Sequence, residues 1–157
     1  MTRIAILKRE EMNDEQGSLY DAVKKEGGPL GGPYWAYIRY PKLMRQAQDI
    51  SRVLGDGGLS KRERQIAIMA IIRFWGAEYP WAVQTRTALS VGLEQELIDT
   101  INEGGTPTLD DPREKACYDV AVELLNNHRL SDALFANASK LFDEKELVSL
   151  IASVGQF

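Results

Sequence analysis

The chain has 157 residues with 44% hydrophobic and 27% charged content, an ordinary globular composition long enough for one core and at most two domains. Its net charge of -4 argues against nucleic acid as a partner. A single cysteine, Cys117, excludes an intrachain disulfide and a cysteine-rich metal site, and a single histidine, His128, excludes any two-histidine metal motif. No apolar run approaches the roughly 18 residues that span a bilayer. The opening segment, Met1-Thr2-Arg3-Ile4-Ala5-Ile6-Leu7-Lys8, has too short an apolar stretch for a signal peptide, so a soluble cytoplasmic protein is expected.

Taken in chain order, nearly every segment reads as helix. Residues 12–26 form a polar, peripheral helix closed by Gly27-Gly28-Pro29. A Gly/Pro-rich loop then leads into Tyr34-Trp35-Ala36-Tyr37-Ile38. Pro41 suits the first residue of a helix running to about Leu54, ended by Gly55-Asp56-Gly57-Gly58. The clearest start follows: Ser60 with Glu63 three positions on makes a capping box. The body, Ile66 to Trp75, is apolar on all sides except at Arg73, which predicts a buried central helix.

Gly76-Ala77 breaks that helix, and Pro80 fits early in the next one, with Glu78 near its cap. Trp81, Gln84, Thr85 and Ala88 then share one face. Gly92 closes this helix, and residues 93–103 make a short amphipathic one ending at Gly104-Gly105. Asp110-Asp111-Pro112 opens a helix to about Asn127, with Cys117, Val120, Ala121 and Leu124 along one side. Ser131 caps another, and Asp143 with Glu146 starts the last. The chain stops at Gly155-Gln156-Phe157 in an apolar stretch with no stop signal, as expected of a truncated chain or of a last turn docked on a partner subunit.

The most informative stretch is Gly76-Ala77-Glu78-Tyr79-Pro80-Trp81-Ala82-Val83-Gln84, an acidic, aromatic helix start with neither Cys nor His. With Gly32-Pro33, Pro41-Lys42-Leu43, Leu59 to Arg64, Gly92-Leu93, Arg113-Glu114-Lys115-Ala116, Leu130-Ser131-Asp132 and Phe142 to Val148, it resembles the carboxymuconolactone decarboxylase family, which includes the alkylhydroperoxidase D-like proteins. The resemblance covers about residues 30–157, leaving 1–29 as an N-terminal helical extension. It implies an all-α, alkylhydroperoxidase D-like domain of about seven or eight helices. It also implies a homo-oligomer, typically a trimer or hexamer, with sites near subunit interfaces.

Two activities are implied. One is decarboxylation of a small γ-carboxy lactone in aromatic catabolism; the other is peroxide reduction by a Cys-x-x-Cys pair followed by His. The positions matching the two cysteines are Ala77 and Pro80, and the position matching the histidine is Gln84. Peroxide reduction needs a thiolate, so the resemblance favours a lyase-type enzyme on a small lactone or carbonyl acid, without metal or organic cofactor. The other reading is a non-catalytic member that binds a small molecule or serves as an oligomeric scaffold.

Decarboxylation of an activated acid needs the carboxylate held, the resulting enolate stabilised and a proton delivered to carbon. Glu78 suits the proton donor if burial keeps it protonated, and Tyr79 and Gln84 can donate to an enolate or lactone oxygen. Arg73 can hold a carboxylate, while Tyr34, Trp35, Trp75 and Trp81 can wall a pocket for a planar substrate. Isomerisation and other C–C lyase chemistry would use the same groups. Leu59 to Ile66 also resembles the opening of a LuxR-type helix-turn-helix, but the segment after it is apolar and then acidic rather than basic, which excludes DNA reading.

Overall fold

The computed structural model describes residues 3–157; Met1 and Thr2, which begin the segment judged too short for a leader, lie outside them. Among the described residues the fold is all-helical, with nine α-helices and one short 3-10 turn at Arg9–Glu11. The chain divides into two compact units, Met1–Arg52 and Val53–Phe157. No helix among the described residues is long and apolar enough to cross a membrane.

The first unit holds α1 (Asp14–Lys25), the single-turn α2 (Tyr34–Tyr37) and most of α3 (Pro41–Gly55). Asn13 caps α1, accepting from the backbone N–H of Gln16, whose side chain accepts from Asn13 in return. Val23, Ile38 and Met44 form its small core, with Tyr34 and Tyr37 packed against it. The α2 turn is the one helix beyond the eight that the sequence outlines. Four residues are too few to show a hydrophobic period.

In the second unit, α4 (Lys61–Phe74) is the central element. Ser60 and Glu63 form the expected capping box, and Gln65 through Ile72 are all buried. One side of α4 packs through Ala67, Ala70 and Ile71 on Cys117, Val120 and Ala121 of α7 (Pro112–Asn127) and on Leu147 and Leu150 of α9 (Glu144–Gln156). The other packs through Ile66 and Met69 on Ala88 of α5 (Glu78–Ser90) and on Leu97, Ile98 and Ile101 of α6 (Gln95–Asn102). A fully buried Ile or Met contributes about 1.5–3 kcal/mol, so this two-sided burial explains why α4 lacks a polar face. The short α8 (Asp132–Ala138) closes the unit between α7 and α9.

Two backbone positions need glycine. Gly57 is buried, and a Cβ there would lie 1.9 Å from Ser149 Oγ, so only glycine lets the loop after α3 reach α9. Gly76 has φ +59° at the end of α4, the left-handed conformation that ends a helix cheaply only without a side chain.

Candidate functional site

The turn from Gly76 to Gln84 is built by a helix stop meeting a helix start. The Gly76 N–H donates to Arg73 O and the Ala77 N–H to Ile72 O, the paired bonds of a Schellman motif, which satisfies the last carbonyls of α4. α5 begins two residues after Gly76, with Glu78 first and Pro80 third, a position whose N–H has no helical partner to lose. No side chain caps α5, so Glu78 sits against uncompensated N–H groups at its positive end.

The side chains expected to form one site differ widely in exposure. Glu78 is exposed, and Tyr79 is 60% exposed beside it. Arg73 is exposed and donates through Nε to Asn102 O at 2.5 Å, bracing the end of α6. Trp75 is 65% exposed and meets Phe74 edge-on at 5.1 Å between ring centroids. Trp81 is half-buried against the α4–α6 core. Tyr34 and Trp35 belong to the first unit, where Tyr34 meets Tyr37 edge-on. Gln84 alone of the three catalytic candidates turns inward, on the face it shares with Trp81, Thr85 and Ala88. Glu78 is therefore not enclosed within one subunit.

What Gln84 meets there was not anticipated. Gln65, 4% exposed, donates from Nε2 to both the backbone O and Oε1 of Gln84, each at 3.1 Å. The pair fixes Gln84 with its Oε1 engaged, so its Nε2 is the end that can donate to a ligand oxygen. Gln65 follows four charged or basic-acidic residues and reads as the tail of a polar first turn. The signal that finds it is its register: Gln65, Met69 and Ile72 form one stripe, and the latter two are core. Each member of the pair also has a sequence neighbour with an orphaned atom. Among the described residues, Arg64 Nε and Thr85 Oγ1 are buried without a hydrogen-bond partner.

The other polar centre is structural. Arg113 donates to Glu63 Oε1 at 2.5 Å, to Glu146 Oε1 at 2.8 Å and to Leu141 O at 2.5 Å, with its guanidinium over the Phe142 ring. Glu63 and Glu146 are the carboxylates of the α4 and α9 capping boxes, so one cation ties two helix starts together. Cys117 lies beneath, fully buried, and burial, reinforced by the Glu63 carboxylate, pushes its thiol well above the usual range.

Among the described residues, the second unit has a polar and an apolar concave region. One, about 460 Å³, is polar and bordered by Glu96, Asp110 and Asp111, with its Arg62 spent on Glu94 at 2.8 Å and Glu114 at 2.6 Å. The other is an apolar groove of about 560 Å³ lined by Phe74, Trp75, Leu124, His128, Ile151 and Val154. Of the expected site residues it takes in Trp75 alone, and neither region includes Glu78.

This helical architecture is that of a known family. The carboxymuconolactone decarboxylase family model matches residues 41–123, from the first residue of α3 into α7, more than half of the chain. The chain belongs to that family. Among solved structures it is similar to the alkylhydroperoxidase AhpD core of an uncharacterized peroxidase-related protein from Ralstonia eutropha JMP134. That similarity has a TM-score of 0.77 at 17% identity, over 98% of this chain and 83% of that one, and establishes a shared fold. Comparison with curated proteins gives no match.

Proposed function

We propose that this chain is a carboxymuconolactone decarboxylase-like enzyme that acts on a small lactone or carbonyl acid through an enolate, and is not a thiol peroxidase. The supporting observation is the composition of the turn itself. Ala77 and Pro80 occupy the positions where a thiol pair would stand, and Cys117 is sealed in the α4–α7 core. The peroxidase-related relative from Ralstonia eutropha shares the fold at an identity too low to carry its chemistry across.

In the proposed reaction the bond to the carboxylate carbon breaks, carbon dioxide leaves, and its electron pair passes to the adjacent carbonyl as an enolate. Gln84 Nε2, held by Gln65, donates to that oxygen. Glu78 delivers the proton to carbon, with Tyr79 beside it. Because Glu78 is open to water in the single subunit, the cover that makes such transfer efficient would come from the substrate or a second copy.

The alternative, a non-catalytic binding or scaffold member, draws support from the inner pair, because Gln65 finds its acceptors on Gln84 and neither side chain is titratable. The Glu78→Gln variant separates the two. Turnover of a panel of lactone acids should fall by about two to four orders of magnitude, the usual worth of a positioned acid. Unchanged turnover would remove Glu78 as the acid. Absent turnover in the wild type, with a panel member still raising Tm, would favour the binding reading.

A further inference from the structure

Arg64 is the guanidinium in the second unit whose situation the fold does not explain. Arg62 is held by Glu94 and Glu114, Arg113 by Glu63 and Glu146, and Arg73 by Asn102 O. Arg64 is half-buried between the capping box and the core turns of α4, has no ion pair among the described residues, and keeps Nε out of water without an acceptor. Its guanidinium carbon lies over the Phe157 ring, 5.7 Å from the ring centroid. Burial lowers its pKa, and no carboxylate offsets that cost. A half-buried cation with an unmade hydrogen bond is an expensive feature, and an anionic acceptor would remove the expense. The adjacent buried amide Gln65 and, next to Gln84, the orphaned Thr85 hydroxyl make the seam between α4 and α5 polar where helix seams are ordinarily apolar.

We propose that Arg64 is the receptor for the carboxylate of the small acid this chain takes, binding it through its planar fork with the Phe157 ring stacked behind. The inference rests on the small-acid reading above and moves the carboxylate-holding role from Arg73, whose Nε already serves α6, to Arg64.

The test is a titration with benzoate, a planar carboxylate, and with benzamide, its uncharged isostere, followed by calorimetry and by thermal melting. The wild type is expected to bind benzoate at least about tenfold more tightly than benzamide, and Arg64→Met to lose at least about tenfold in benzoate affinity, the usual worth of a charge-assisted hydrogen bond. Arg64→Lys should bind weakly, keeping charge without the fork. Arg86→Met removes an exposed cation of the same unit and should bind as the wild type does. Without ligand, Arg64→Met should melt no lower than the wild type, because it loses an unpaired charge and keeps an apolar stem on Phe157. The proposal is overturned if the wild type does not bind benzoate, if benzamide binds equally, or if Arg64→Met stays within about twofold of wild-type affinity. It also falls if both Arg64 variants melt clearly lower, which would mark a structural residue. Arg64-dependent binding without turnover would sink the enzyme reading alone, and turnover with Arg64-independent binding would sink this one alone.

Discussion

Replacing Arg113 by Met would leave Glu63, with a side chain 9% exposed, and Glu146, 17% exposed, facing each other without their cation. Breaking a buried pair from one side costs about 3–5 kcal/mol, and the 31% exposure of Arg113 places this case near the lower figure. At about 2–4 °C per kcal/mol for a chain of this size, Tm should drop by roughly 6–12 °C. The loss should depend on pH. Arg113, with a smaller contribution from the Asp143 N–H, holds Glu146 below its ordinary value of 4.5. A lowered carboxylate pKa contributes stability that is complete above the unfolded value and disappears as pH falls through the folded one. Urea midpoints should therefore separate wild type and variant most above pH 4.5 and converge in more acidic buffer. At this scale the sequence was only partly legible. The absence of thiols at Ala77 and Pro80 could be read directly, because a missing residue type needs no geometry. Gln65 and Arg113 could not, since their partners lie 19 and up to 50 positions away.

The helices themselves were far more legible, because their stops and starts are local. The glycine stops at Gly76, Gly92 and Gly104 each adopt positive φ, and the Ser60, Asp111, Ser131 and Asp143 caps all accept from the expected backbone N–H groups. A cap and its N–H partner sit two or three residues apart, so the spacing alone specifies the bond. Ser60→Ala should cost about 1 kcal/mol in denaturant unfolding, and Ser60→Thr should recover most of it. A neutral Ser60→Ala would mean that Arg113, by holding Glu63, fixes the start of α4 unaided. What the elements did not reveal is facing direction at the α5 start. Glu78 and Gln84 lie about 120° apart around the α5 axis, so Gln84 meets α4 while Glu78 stays at the solvent edge of the same turn.

At the scale of the molecule, membership of the carboxymuconolactone decarboxylase family and the all-α fold were both visible in the order of the motifs. The division at Arg52–Val53 was not, because it falls inside the continuous helix α3, where no linker composition marks it. Large apolar side chains remain uncovered on the second unit: Trp75 and Val148 are each 65% exposed, Phe135 51% and Leu89 46%. We expect a homo-oligomer to cover part of that surface. Sedimentation at micromolar concentration should give a multiple of the 17.6 kDa chain mass, and a monomer alone would remove the expectation.

The Arg113 junction also has a bearing on time. Each capping box spans three residues and can form as soon as its own turn does, whereas the bonds from Arg113 close 50 and 33 residues of chain. Helix starts that nucleate alone and are joined only after distant segments meet owe little of their rate of formation to that join. If the guanidinium between Glu63 and Glu146 works as a latch, Arg113→Met should speed unfolding far more than it slows refolding in stopped-flow measurements, and an equal effect on both rates would remove that reading.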